Sequence, residues 1–228
     1  MTPIKTKFKV VVAGDEHHVH ATTIVNEMET SAKVRGTGIA RRSPEFIMNK
    51  MTEGKAVIAL TSTGKWAGFC YIESWSHDQF VANSGLIVHP DYRKSGLAKE
   101  IKNKIFQLSR KRFPKAKIFG LTTGLAVMKI NSEIGYEPVT YQELTNDDAF
   151  WNGCRSCVNF PILEEKQRKN CMCTAMLYDP NVSGIKKWKS RRLDFLKHSE
   201  LYERYMRIKQ NTFLNGLFKL NKQKKDHD

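Results

Sequence analysis

The sequence lacks several features that would settle its class outright. No run of apolar residues approaches the 18 needed to cross a bilayer as a helix, which excludes a helical membrane anchor within it. Its opening, MTPIKTKFKV, is charged and turns into a short β-branched run without a small-residue cleavage site, unlike a secretory signal. It has no internal repeat and no low-complexity segment, so solenoid and linker-type readings fall away. Cysteine is sparse, at five residues. These absences set the expectation of a cytoplasmic protein, with no membrane partner, whose cysteines are reduced or metal-bound.

What is present suits a globular chain. Its 228 residues fit one domain plus an appendage, and 40% hydrophobic with 27% charged content allows a core. The net charge of +15 invites a nucleic-acid reading. That charge is uneven, however. Residues 185–228 hold 13 Lys or Arg and 5 Asp or Glu, a net of +8, and leave +7 on the other 184 residues.

The patterning predicts strands at 8–13, 56–60, 66–75, 81–88, 117–121 and 137–141. Helices are predicted at 18–33, from Pro44 to about Gly54 with Ser43 as N-cap, at 95–112, and at 125–134 before Gly135. Leu97, Ile101, Ile105 and Leu108 mark the apolar stripe of the long helix. Thr63-Gly64 marks a hairpin turn. The order predicts a mixed α/β fold with a partly antiparallel sheet, antiparallel early and parallel late.

The most informative segment is Val88-His89-Pro90-Asp91-Tyr92-Arg93-Lys94-Ser95-Gly96-Leu97-Ala98. A strand runs through a loop into a helix. Gly96 has no Cβ, so an anion can approach the backbone closely. The first-turn N–H groups and the helix dipole favour phosphate, and Arg93 and Lys94 add cationic partners. An ordinary strand-to-helix turn is the competing reading. Its context counts against that: Gly85-Leu86-Ile87-Val88 lies before it, and Asn131-Ser132-Glu133-Ile134-Gly135-Tyr136 closes the region.

Over residues 8–141 the chain resembles the GNAT superfamily of acyl-CoA N-acyltransferases, most strongly at 86–98. Gly135-Tyr136 is similar to the pair before the family's last strand. The resemblance implies a GNAT-like fold and an acyl-CoA such as acetyl-CoA. Arg93, Lys94, Ser95, Gly96, Leu97 and Ala98 would hold its pyrophosphate, and Leu86, Ile87 and Val88 would pair with the pantetheine arm. Transfer would run directly from thioester to amine. Gly124 and Asn131 stand where the family often has Asn and Tyr. Asn131 is thus expected at the cofactor, and the acid that protonates the departing thiolate is unassigned.

A protonated amine must lose a proton, and Glu73, among apolar neighbours in a strand, is the candidate base, with a solvent-facing carboxylate as the alternative. His77 and His89 are weaker candidates, and His89 more naturally shapes its turn. The loop at 33–42 lies where the family shapes its acceptor pocket. Arg35, Thr37 and Arg41 suit a carboxylate acceptor, although a solvated basic loop would look alike. A weaker resemblance is to amino-acid N-acyltransferases of the N-acylglutamate synthase type, which points to acetyl or succinyl transfer to an amino acid such as glutamate, as in arginine biosynthesis.

Beyond this region stand Cys154-x-x-Cys157 and Cys171-x-Cys173. Two close cysteine pairs suit a structural, tetrahedral Zn²⁺, with the second pair read as a strand whose side chains share one face. Buried core cysteines or a redox pair at Cys154 and Cys157 compete with that reading. The expected organisation is a GNAT domain at 1–145, a four-cysteine zinc element at 146–184 and a basic helical tail at 185–228. The tail could pack on the domain, join a homodimer or contact nucleic acid. A protein N-acetyltransferase, or a nucleic-acid-binding zinc protein with an inactive GNAT fold, are the alternative functions.

Overall fold

The computed structural model describes residues 7–36 and 41–182. Seven strands form one sheet: β1 (Phe8–Val12), β2 (Ala56–Thr61), β3 (Trp66–Trp75), β4 (Phe80–Val88), β5 (Lys117–Thr122), β6 (Glu137–Val139) and β7 (Thr174–Tyr178). Their spatial order is β1-β2-β3-β4-β5-β7-β6. The helices are α1 (Ala21–Arg35), α2 (Pro44–Thr52), α3 (Leu97–Arg112), α4 (Leu125–Ile134), α5 (Asp148–Asn152) and α6 (Phe160–Glu165). No helix among the described residues is long and apolar enough to cross a membrane.

Local chemistry sets most of these boundaries. Ser43 accepts a hydrogen bond from the Phe46 N–H and Pro44 opens α2, as the sequence predicts. Gly36 and Gly135, at φ +59° and +110°, end α1 and α4 in the left-handed region. The stripe of α3 differs from the one expected. Leu97, Ile101 and Ile105 are buried, but Lys102 and Ser109 are buried with them, and Leu108 is only half-buried.

The sheet is antiparallel from β1 to β4, as expected, but it is not parallel thereafter. Only β4 and β5 run parallel, through Phe80↔Lys117, Val81↔Ile118 and Ala82↔Phe119. β7 inserts between β5 and β6 and pairs antiparallel with both. Beyond the expected boundary at 145/146, the chain contributes β7 to the interior of the sheet. Cys171 and Cys173 precede β7 rather than lying in a strand. The tail at 185–228, with its proposed helix, lies outside the described residues.

Two apolar cores flank the sheet. One joins α1 and α2 to Ile58, Phe69, Tyr71 and Ile87. The other packs Phe119, Tyr141, Trp151, Leu163 and Leu177 at the β5–β7 end, with a stacked Tyr141–Trp151 pair.

A bulge bends β4. Tyr71 pairs with Ser84 and Phe69 with Ile87, so Gly85 and Leu86 together oppose Cys70. Gly85 has φ +65°, and a Cβ there would stand 2.3 Å from Tyr71 Cε1 and 2.4 Å from Met28 Cε. Gly85→Ala is expected to destabilise by about 2–4 kcal/mol, combining the left-handed penalty with overpacking. A lowered urea midpoint at unchanged slope would report it, and an unchanged midpoint would refute the packing account.

Candidate active site

The bulge turns β4 away from β5. Both strands run on past the Ala82↔Phe119 pair, yet they share no further pairing. On its other edge β4 remains bonded to β3 through Ile87 and Val88. Leu86, Ile87 and Val88 therefore present one unpaired strand edge, the stretch that the family resemblance implies would pair with a pantetheine arm.

At the end of that edge, Pro90–Tyr92 forms a 3₁₀ turn and Gly96 opens α3 without a side-chain cap. Lys94 and Gly96 adopt φ +64° and +90°. Left-handed residues this close curl the chain into a concave nest of N–H groups. The N–H groups of Lys94, Ser95, Gly96 and Ala98 make no hydrogen bond within the described residues, while that of Leu97 meets Ser95 Oγ at 3.4 Å. Nothing lies within 4 Å of a Cβ built on Gly96. Backbone donors, an open glycine and a helix dipole fit a pyrophosphate.

The Arg93 side chain is placed differently from the sequence expectation. Its Nη2 donates to Glu27 Oε1 at 2.8 Å and Ser31 Oγ at 2.7 Å, and its Nε donates to Val88 O at 3.2 Å. Arg93 thus ties the loop to α1. Arg93 and Lys94 are both exposed. His89 shapes the turn, as expected, by accepting from the Asp91 N–H at 3.3 Å.

On the α1–α2 face of the sheet, Glu73 is not a free carboxylate. Arg42 Nη2 lies 3.2 Å from both of its oxygens, and Arg42 Nε donates to Tyr71 Oη at 3.0 Å. The guanidinium also lies 4.8 Å from the Phe46 ring centroid. Burial works against the guanidinium charge, but Tyr71 and Glu73 outweigh it and hold the Arg42 pKa above its ordinary value. Burial, then the neighbouring Glu73 charge, raises the Tyr71 pKa, so Tyr71 stays a neutral hydroxyl. Arg41 is exposed; its backbone N–H donates to Ser156 Oγ at 3.1 Å. Thr37 and the Arg35 side chain lie outside the described residues.

Asn131 sits on α4 in the interior, 1% exposed. Its Nδ2 approaches Met176 Sδ at 3.7 Å, and its Oδ1 has no partner. Sequence reasoning missed Tyr71 and Lys102. For Lys102 there was a signal: it directly follows Ile101 on the buried face of an otherwise apolar stripe.

The four cysteines of the two pairs line one cavity of about 30 Å³, with Leu121, Tyr141, Asn159, Phe160 and Leu163. The Asn159 N–H donates to Cys157 Sγ at 3.4 Å. Burial, then the neighbouring thiols, push Cys154 up to about 11 and Cys173 to about 12. As placed, no three His, Cys, Asp or Glu side chains among the described residues form a group able to hold a metal ion.

The structure thus joins an open sheet parted between two parallel strands to a loop of main-chain donors at the parting. Residues 23–126, just under half of the chain, match the acetyltransferase (GNAT) family. No curated protein matches the sequence. Among solved structures, N-acetylglutamate synthase from Neisseria gonorrhoeae, complexed with coenzyme A and N-acetyl-glutamate, is similar with TM-score 0.54 at 14% identity, over 77% of this chain and 36% of that one. Rv2747 from Mycobacterium tuberculosis, complexed with CoA, gives TM-score 0.54 at 16% identity, over 75% of this chain and 98% of that one. A phosphinothricin acetyltransferase from Sinorhizobium meliloti, in complex with acetyl-CoA, gives 0.50 at 12% identity, over 77% and 89%. At these identities the likeness is one of fold. This chain spans about a third of the length of the Neisseria enzyme.

The Arg42–Glu73 pair is testable alone. The two side chains are 17% and 15% exposed, so their attraction is screened but not abolished. Arg42→Met should cost about 1–3 kcal/mol by leaving Glu73 and Tyr71 unpaired. Adding Glu73→Gln should recover part of that, which a double-mutant cycle in urea would measure. Strict additivity would show that the pair is not coupled.

Proposed function

We propose that this chain transfers an acyl group, acetyl or succinyl, from acyl-CoA to the amine of a small carboxylate-bearing acceptor, an amino acid such as glutamate. The observation that carries the reading is the unpaired edge of β4 leading into the N–H nest at 94–98. An extended ligand with amide groups and a terminal pyrophosphate complements that edge and that nest in order. Leu86, Ile87 and Val88 receive the pantetheine arm. The backbone of residues 93–98 receives the pyrophosphate, with Lys94 as the cation beside it. Asn131, whose Oδ1 lacks a partner, accepts from an amide N–H of the arm.

On the acceptor side, Arg41 grips the carboxylate, together with Arg35 and Thr37 of the adjoining segment. Glu73 receives the amine's proton, and Arg42 and Tyr71 fix its position. The likeness to N-acetylglutamate synthase, solved with N-acetyl-glutamate bound, supports an amino-acid acceptor. A protein acceptor is the alternative, favoured by the exposed cationic character of the chain. The charged tail leaves nucleic-acid contact and homodimerisation as further uses of this chain, and a cytoplasmic setting suits acyl-CoA.

Mass-spectrometric detection of N-acyl product tests this. Purified protein is mixed with acetyl-CoA or succinyl-CoA and a panel of free amino acids that includes glutamate and ornithine. One pair should yield product, and Gly96→Glu should reduce it at least ~10-fold by placing a carboxylate where the pyrophosphate sits, a cost of about 1.4 kcal/mol or more. CoA binding without product from any amino acid would turn the search to protein acceptors. No CoA binding would overturn the acyltransferase reading.

We further propose that the four thiols hold a structural Zn²⁺. The donor set fits: four cysteines share one cavity, and a dication would offset the repulsion among their thiolates. The side chains must draw together to bind it. Metal analysis of the purified chain should find about one zinc, lost in Cys154→Ser/Cys157→Ser. A metal-free, fully folded wild type would refute it.

A further inference from the structure

Lys102 is an anomaly in the fold. It stands on the apolar stripe of α3 and is 2% exposed. A buried ammonium is costly unless paired. Its contacts are slight for such a position: Nζ lies 3.5 Å from Asn83 O and 5.3 Å from the Tyr136 ring centroid. Neither contact is an ion pair.

Its position within the sheet gives the reason. Asn83 is the first β4 residue past the last pair with β5, so its carbonyl has just lost a strand partner, and Lys102 meets it there. Across the parting, on β5, a Cβ built on Gly120 would lie 3.9 Å from Lys102 Nζ and 3.8 Å from Asn131 Nδ2. The buried ammonium and the buried Asn131 amide nitrogen therefore both come close to one point over β5, beside the parting. A leaving group that reaches this end of the parting would find Lys102 as a buried proton donor.

We propose that Lys102 is the general acid of the transfer, delivering a proton to the sulfur of the departing CoA thiolate. This rests on the acyltransferase reading above. The amine nitrogen forms the C–N bond and gives its surplus proton to Glu73. The tetrahedral intermediate collapses, the C–S bond breaks, and its electron pair goes to sulfur. The Lys102 ammonium protonates that sulfur, leaving free CoA thiol and a neutral Lys102. Solvent returns a proton to Lys102 and removes the one on Glu73 before the next turnover, so the balance closes.

The surroundings suit a proton donor. Burial lowers the Lys102 pKa from its ordinary value, and the Cys70 thiol from β3 is the group that opposes this. Cys70 itself is pushed up to about 11 by burial, and burial likewise raises Tyr136, whose hydroxyl donates to Asn83 Oδ1 at 3.0 Å. Both therefore remain neutral while Lys102 titrates. The sign follows: the ammonium is present at low pH and lost as pH rises, so the rate should fall on the alkaline side.

The test is kcat against pH for the wild type, Lys102→Met and Lys102→Gln, with the acyl-CoA and amine pair that the wild type turns over. Thermal melts and CoA affinity serve as controls for folding and binding. The wild type should show a descending alkaline limb. The variants should lose on the order of 10²-fold in kcat, with that limb absent and CoA affinity within threefold. A structural role alone would move the melt and leave the limb in place. Folded variants with near wild-type kcat overturn the assignment. If neither variant folds, a wild-type profile flat to about pH 10, near the ordinary lysine pKa, overturns it instead. A wild type without any turnover overturns the acyltransferase reading and this one together.

Discussion

The parting of β4 from β5 after three residue pairs is the constraint from which the candidate site follows. β5 is held straight by five pairs with β7 on its other edge, from Ile118↔Tyr178 to Thr122↔Thr174. β4 is turned by its bulge, and the bulge is fixed because Tyr71 and Met28 occupy the space beneath Gly85. Two strands so constrained must diverge. Divergence strips backbone groups of their partners inside the protein, where an unpaired carbonyl or N–H is costly. Lys102 meets the first such carbonyl. The rest of the β4 edge is available to a ligand that brings its own amides.

Charge is organised by the same need. A chain with net charge +15 has cations to offer a phosphate, yet Arg93, Arg42 and Arg112 are each engaged by groups of the protein itself. Arg93 joins α1 to the loop, Arg42 joins the segment before α2 to β3, and Arg112 caps the end of α2 through Glu53 O and Gly54 O at 2.7 and 2.8 Å. At 94–98 the donors on offer are mainly main-chain N–H groups. These are fixed by the fold and lose no rotamer freedom on binding, whereas a free arginine would lose up to about 2 kcal/mol.

Much of this could be read from the sequence because it is local. The cap at Ser43, the end of α4 at Gly135, the span of β3 and the Val88–Ala98 loop each rest on residues within a few positions of one another. What could not be read depends on partners distant in sequence. Arg93 has the right chemistry for phosphate, but Glu27 and Ser31 lie more than 60 residues away and take its guanidinium. Glu73 reads as a lone strand carboxylate until Arg42, 31 residues earlier, folds onto it. β7 was missed because its five residues follow an irregular stretch, and only the sheet reveals that they pass between β5 and β6. Lys102 was visible as a breach in an apolar stripe, but its meaning depends on where β4 and β5 part.

The cysteine segment shows the same dependence in reverse, since its geometry follows from topology more than from spacing. Cys171 and Cys173 immediately precede β7, so the interior of the sheet fixes one side of their cavity. Cys154 and Cys157 follow α5, which Trp151 anchors by stacking on Tyr141 and by donating to Thr145 O at 2.9 Å. Tyr141 closes the loop, because its hydroxyl donates to Cys173 O at 2.9 Å. Packing alone thus brings the two pairs to one cavity, although the thiols as placed do not form a metal-holding group among the described residues. The segment also reaches the residues before α2: Ser156 holds the Arg41 N–H, and a Cβ on Gly153 would lie 3.9 Å from Arg42 Nη2. A disturbance at the cysteines would therefore be felt first at Arg41 and Arg42, the second of which holds Glu73, and only indirectly at the loop 93–98, which Arg93 ties to α1.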